Sequence, residues 1–210
     1  MKKPLIILTG PTAVGKTKLS ISLAKAVNGA IISADSMQVY RHMDIGSAKI
    51  RPEEMCGVPH YLIDVLDPSE EFHVVKFVEL AHEAMEKIYA AGQIPIVTGG
   101  TGFYIQALLK EVDFTESHGE LPIRKQLEEK AATEEGAAEL YRELSEVDPA
   151  SAETIHPNNV KRVIRALEYY HETGQKISEH NEEQKQKESP YCSAYFVLND
   201  ERSILYDHID

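Results

Sequence analysis

The chain has 210 residues, 42% hydrophobic and 27% charged, which suits one α/β domain with a small insertion. Its longest early apolar run, Leu5 to Leu8, is too short for a signal-peptide core or a membrane span, so a cytoplasmic protein with no membrane partner is expected. Two cysteines without CxxC spacing, Cys56 and Cys192, point to free thiols, and a net charge of −12 argues against a general nucleic-acid coat.

The charge is uneven. Residues 1–51 carry eight Lys or Arg against Asp35 and Asp44, a balance of +6, which leaves −18 for the remainder. An anionic ligand would meet the N-terminal third first, although a solvated basic face reads the same way.

Pro4 to Thr9 is a short apolar run that stops at glycine, the pattern of a buried parallel strand. Lys16 to Val27 has Leu19, Leu23 and Val27 at helical spacing, then Asn28-Gly29 as a stop. Ala30 to Ser33 reads as a second strand and Tyr61 to Val65 as a third. Val74 to Ala91 is a long amphipathic helix ending at Gly92. Ile94 to Val97 is a fourth strand, with Pro95 counting against it. Phe103 to Lys110 returns to helix. Strands alternating with helices predict a parallel sheet with crossover helices.

After Val112 the strand texture stops. Residues 116–146 are rich in Glu, Ala and Leu, and Gly136 and Pro149 are expected to divide the stretch into helices. Val160 to Thr173 is helical, with Val163, Ile164, Leu167 and Tyr170 as its apolar stripe. Glu179 to Glu188 reads as a loop or an exposed helix end, and Ala194 to Leu198 as a strand. The predicted organisation is a core at 1–112, a helical insertion at 113–188 and a return to the core at 189–210. The chain stops at Ile209-Asp210 in what reads as a helix just begun, so a further C-terminal part is expected.

Gly10-Pro11-Thr12-Ala13-Val14-Gly15-Lys16-Thr17 matches GxxxxGK[ST], after a strand and opening a helix. Such glycines let the backbone curl so that successive N–H groups and the helix start form an anion cradle. Lys16 would add a charge on a terminal phosphate, and the Thr17 hydroxyl is the expected Mg²⁺ ligand. The fold class expected is therefore a P-loop NTPase-like parallel sheet flanked by helices, with a helical insertion. A phosphate loop names a phosphate and not a reaction. The guanine-reading NKxD of GTPases is absent, and Tyr61-Leu62-Ile63-Asp64 is a poor version of the Asp-terminated strand of motor ATPases.

The second strand ends in Ser33-Ala34-Asp35-Ser36-Met37-Gln38, and ligands of open α/β sheets gather at such strand ends. Asp35 there can be a base, a metal-shell ligand or a loop cap. The fourth strand runs into Thr98-Gly99-Gly100-Thr101-Gly102, where glycines permit close approach to a ligand and Thr101 offers a hydroxyl.

GPTAVGKT at 10–17, SADSMQVYR at 33–41, MDIGSAK at 43–49, GVPHYLID at 57–64, TGGTGFY at 98–104 and VKRVIRALE at 160–168 together resemble the tRNA dimethylallyltransferase (isopentenyltransferase) family. Their order agrees with it over about four fifths of the chain. Ser47 stands where Thr is common, Tyr61 where a second His is common, and Asn158-Asn159-Val160 replaces the usual Asp-Pro before Lys161.

The resemblance implies transfer of a dimethylallyl group from dimethylallyl diphosphate to the exocyclic amine of the adenosine 3′ of the anticodon in tRNA, with release of diphosphate. It implies Asp35 as general base, Thr101 near the leaving oxygen or the target nucleotide, and Lys16 with the loop amides on the diphosphate. It carries tRNA contacts onto Asp35, Ser36, Met37, Gln38, Thr101, Arg124, Lys161, Arg162 and Arg165, with Arg165 also a diphosphate candidate. Partners are then the anticodon stem-loop and dimethylallyl diphosphate, Mg²⁺ is the cofactor, and a monomer is expected. A P-loop small-molecule kinase, an isopentenyltransferase acting on free adenine nucleotides and a non-catalytic binding module remain alternatives. His60, His73, His118 and His156 have no metal spacing and read as structural or solvated.

Overall fold

A computed structural model describes residues 2–111 and 122–207 of the chain. The predicted boundary at 112–113, His118 and the end at Ile209-Asp210 lie outside the described residues. The chain forms two compact units, Met1–Val112 with Glu188–Asp210, and Asp113–Lys187.

The first unit holds β1 (Lys3–Thr9), α1 (Lys16–Val27), β2 (Gly29–Ser33), β3 (His60–Tyr61), α2 (Val74–Ala90), β4 (Ile94–Gly99) and α3 (Gly102–Lys110). The second holds α4 (Pro122–Lys130), α5 (Glu134–Val147), α6 (Pro149–Thr154), α7 (Val160–Thr173) and α8 (Ile177–Gln186). The chain then returns to the first unit with β5 (Tyr191–Val197) and α9 (Arg202–Asp207).

Among the described residues five strands form one parallel sheet, in the order β3-β2-β4-β1-β5. Side-chain alternation sorts the sheet into two buried faces. Ile7 and Val97, register partners on β1 and β4, face Phe77, Met85 and Ile88 of α2 and Ile105 and Leu108 of α3. Their neighbours Ile31 and Ile96 face Ala24 of α1 and Val58. Every residue of β2 is buried, as a strand covered on both faces requires.

The fourth strand forms as expected in spite of its proline, and several other elements depart from the sequence expectation. Pro95 lies in an interior strand. It is tolerated because pairing to β1 starts only at Ile6↔Ile96, one residue beyond the ring. The third strand is only two residues long, because Leu62 (φ 62°) and Asp64 (φ 55°) take left-handed conformations that end the extended run.

In the second unit, Gly136 does not break a helix. Its N–H donates to the Thr133 hydroxyl 3.1 Å away in the first turn of α5, and a Cβ there would collide with the Lys130 carbonyl. Tyr169, not Tyr170, completes the buried stripe of α7. The polar stretch read as a loop or helix end is the helix α8. Leu127, Leu140, Leu144, Val163, Ile164 and Leu167 form the core of this unit. Asp148 ties α6 to the start of α8.

Candidate functional site

The strand order puts the carboxyl ends of β2, β4 and β1 side by side, and the three segments singled out in the sequence leave the sheet at those ends. A crevice of this kind, where successive connections leave a strand in opposite directions, is where open parallel sheets bind ligands.

After β1 the chain turns through Gly10 (φ 152°), Ala13 (φ 65°) and Gly15 (φ 88°). A side chain at Gly10 would meet the Leu198 carbonyl at 2.5 Å. Gly15 caps α1 in a left-handed conformation, and among the described residues no side chain accepts from the first amides of the helix. Those amides are thus available to an anion. Ala13 holds a left-handed conformation without being glycine, a local cost that only the tertiary structure reveals.

Lys16 Nζ donates to the carbonyls of Gly10 (2.9 Å) and Pro11 (2.6 Å), folded back over its own loop. Burial holds this ammonium below its ordinary pKa, and the nearby Asp35 carboxylate partly offsets the effect. Lys16 and Asp35 therefore share one electrostatic neighbourhood. Thr17 is exposed, and its hydroxyl has no hydrogen bond among the described residues.

Asp35 is half-buried beyond the end of β2. Its Oδ1 accepts from the N–H groups of Met37 (2.8 Å) and Gln38 (3.2 Å), which fixes the turn. Among the described residues Oδ2 takes no hydrogen bond. Ser36 and Met37 are exposed. The Gln38 amide is occupied: Ser33 Oγ donates to its Oε1 (3.1 Å), and its Nε2 donates to the carbonyls of Ser47 and Ala48, both at 3.2 Å. Reading the edge of a base with this side chain would require breaking those bonds.

After β4, Gly99 packs so closely on Ala34 that a Cβ would overlap the Ala34 carbonyl. Thr101 precedes α3 and uses its carbonyl, not its hydroxyl, to start the helix. The Thr98 hydroxyl is buried with no partner among the described residues. That orphan group at the β4 end was not singled out in the sequence, although it lies inside a quoted motif.

Sequence reasoning also passed over Lys49. Its side chain is only 4% exposed, and Nζ donates to Asp44 (2.7 Å), Asp64 (2.6 Å) and the Tyr40 carbonyl (2.7 Å). This clamp fastens the segment that follows Gln38 to the loop after β3. Asp64 is thereby a partner of Lys49 rather than a carboxylate ending an ATPase strand. The histidines considered have local roles. His60 contacts the Val58 carbonyl, His73 caps α2, and His156 accepts from the Asn158 N–H. No group of three or more metal-ligating side chains occurs among the described residues. Among the described residues no helix is long and apolar enough to cross a membrane.

Arg124, Lys161, Arg162 and Arg165 lie in the second unit. Lys161 and Arg162 are exposed in the first turn of α7. Arg124 and Arg165 both reach Glu168, at 3.5 and 3.0 Å.

A family model described as IPP transferase matches residues 38–210. A tRNA dimethylallyltransferase of Lachnoclostridium phytofermentans is 65% identical over 99% of this chain and 66% of its own length. One of Bacillus mycoides is 49% identical over the whole chain and 65% of its own length. The chain thus spans just under two thirds of the curated relatives it matches. A crystal structure of a eukaryotic dimethylallyltransferase acting on tRNA superposes with a TM-score of 0.86 at 37% identity, over 99% of this chain and 51% of that one. The full-length tRNA isopentenylpyrophosphate transferase of Bacillus halodurans gives 0.65 at 45% identity, over 100% and 64%.

Proposed function

Because the chain belongs to the IPP transferase family, we propose that it is the core of an enzyme that moves a dimethylallyl group from dimethylallyl diphosphate to the exocyclic amine of the adenosine 3′ of the anticodon in tRNA, releasing diphosphate. The observation that carries this reading is the placement of the phosphate loop with Lys16 and of Asp35 at the carboxyl ends of strands of one parallel sheet, with the Asp35 charge felt at Lys16.

The reaction makes a carbon–nitrogen bond and breaks the bond between the allylic carbon and the diphosphate oxygen. Negative charge grows on that oxygen. The free amides at the start of α1 and the Lys16 ammonium suit a diphosphate group there, with the lysine trading two backbone carbonyls for phosphate oxygens. The adenine amine is a weak nucleophile, since its lone pair is delocalised into the ring. Asp35 takes the amine proton through Oδ2 while Oδ1 keeps the turn in place. Thr101 has a hydroxyl free of helix capping, suited to the leaving oxygen or the target nucleotide.

Thr17 fits a Mg²⁺ site, because Mg²⁺ takes one or two protein oxygens and fills its shell with water and substrate phosphates. When bound, the ion supplies charge neutralisation to the departing diphosphate. The target base must leave the anticodon stack, which costs at most a few kcal/mol for a loop nucleotide. Ser36 and Met37 beside Asp35, with Arg124, Lys161, Arg162 and Arg165 of the second unit, are the proposed tRNA contacts, the last also a diphosphate candidate. We place the reaction in the cytoplasm with the protein as a monomer.

The test incubates the whole protein with Mg²⁺, labelled dimethylallyl diphosphate and an anticodon stem-loop. Label should pass to the RNA in step with diphosphate release. Transfer to free adenosine monophosphate at equal rate, or phosphoryl transfer from ATP without prenyl transfer, would overturn the assignment.

A further inference from the structure

Glu168 lies on the buried face of α7, 1% exposed, between Leu167 and Tyr169. A carboxylate there is costly unless its charge is answered. Two guanidinium groups answer it, one per oxygen. Arg165, one turn earlier on the same helix, donates from Nη1 to Oε2 at 3.0 Å. Arg124, from α4, donates from Nη1 to Oε1 at 3.5 Å. Arg124 is held from a second side, where Nε reaches Glu128 at 3.2 Å.

The arginines are not themselves buried. Their side chains are 42% and 34% exposed, so neither is closed off from solvent. A buried ion pair is a poor device for stability alone, since a well-packed apolar residue of similar volume does as well or better. Its distinctive effect is geometric. One anion fixes two planar donors from two helices in a set relation, which flexible arginines on a surface lack.

We propose that Glu168 is a positioning residue that orients Arg124 and Arg165 together toward phosphate groups of the bound RNA. The inference rests on the tRNA reading above, and its primary measurement is RNA binding, which can be made whether or not prenyl transfer occurs.

The experiment uses the whole protein and an anticodon stem-loop, with Kd measured over a range of salt concentrations. The proteins compared are the wild type, Glu168→Gln, the double variant Arg124→Ala with Arg165→Ala, and the triple variant. Glu168→Gln keeps the shape but lacks the charge. It should weaken RNA binding about tenfold and lower the dependence of log K on log salt by about one phosphate contact. Binding of dimethylallyl diphosphate should fall by less than RNA binding does, because only Arg165 of the pair is also a diphosphate candidate. The triple variant should bind no more weakly than the double, because Glu168 acts through the two arginines.

An unchanged RNA affinity and salt slope in Glu168→Gln would overturn the proposal, as would a triple variant weaker than the double. An equal loss of diphosphate affinity would assign the arginines to the donor substrate and overturn it too. Should Glu168→Gln fail to fold, Glu168→Asp, which keeps the charge but withdraws it by one methylene, goes through the same comparison. A wild type that binds RNA yet transfers no prenyl group would refute the function and leave the Glu168 result standing.

Discussion

Asp35 has two oxygens with two different tasks, and two substitutions separate them. Oδ1 holds the turn by accepting from Met37 N–H at 2.8 Å and Gln38 N–H at 3.2 Å, while Oδ2 is left for the substrate. Asp35→Asn keeps an acceptor oxygen for both amides but cannot take a proton. Loss of a positioned general base costs about 10²–10⁴-fold in rate, equivalent to about 3–5 kcal/mol of barrier. The turn should survive, so KM for RNA should change by less than about threefold. Asp35→Ala removes the base and also strands two amide donors, with about 1–3 kcal/mol at stake for each buried group. These amides are at the surface or half-buried, so the lower figure applies. Asp35→Ala should therefore add to the same rate loss a rise in KM for RNA of about fivefold to tenfold, because Ser36, Met37 and Gln38 lose their anchor. The assay is single-turnover transfer of labelled dimethylallyl over a range of stem-loop concentrations up to saturation, with stability checked by urea unfolding. An Asn variant within about fivefold of the wild-type rate would show that Asp35 is a turn-holder and not the base.

Three further substitutions probe what holds the site. Gly99→Ala forces a Cβ into the Ala34 carbonyl and should cost about 3 kcal/mol in urea unfolding, whereas Gly100→Ala, whose nearest neighbour is 3.9 Å away, should stay within about 1 kcal/mol; equal effects would show that β4 and β2 can separate freely. Lys49→Met removes three bonds of 2.6–2.7 Å, but Asp44 and Asp64 are half-exposed or more and regain water, so the expected loss is about 2 kcal/mol, and a loss under about 0.5 kcal/mol would discount the clamp. Asp148, 2% exposed, would be pushed up by burial, yet four hydrogen bonds from Ser178 and Ser151 outweigh that and hold its pKa below the ordinary carboxylate value. A lowered folded pKa contributes stability that is full above the unfolded value and disappears as pH falls through the folded one. Urea midpoints should therefore drop on acidification below about pH 4 by less in Asp148→Asn than in the wild type, and equal acid sensitivity would refute the linkage.

Local order in the sequence determined much of this protein. A run of four apolar residues followed by a glycine-rich loop and a helix can fold in few ways, so β1, the phosphate loop and α1 were readable from residues 4–27. The long amphipathic helix α2 and the capped α7 were legible for the same reason, since their 3.6-residue period is strong. What failed was local reasoning about residues whose conformation is set from a distance. Pro95 weakened the reading of the fourth strand without overturning it, and the register places the ring just before pairing with β1 begins. Leu62 and Asp64 belong to an apolar run, but the Lys49 clamp on Asp64 and left-handed backbone end the strand.

The site divides in the same way. The sequence brought forward Lys16, Asp35 and Thr101 by type and position, because strand ends of a parallel sheet converge. It did not reveal that Asp35 spends one oxygen on its own turn, or that the Gln38 amide is already occupied. Glu168 read as the last letter of a basic motif, although a glutamate next to Leu167 in an apolar stripe was the available signal. Spacing fixes which face of a helix a residue occupies. Whether a charge on that face is answered, and by which partner across 44 residues of chain, is settled only when α4 and α7 pack.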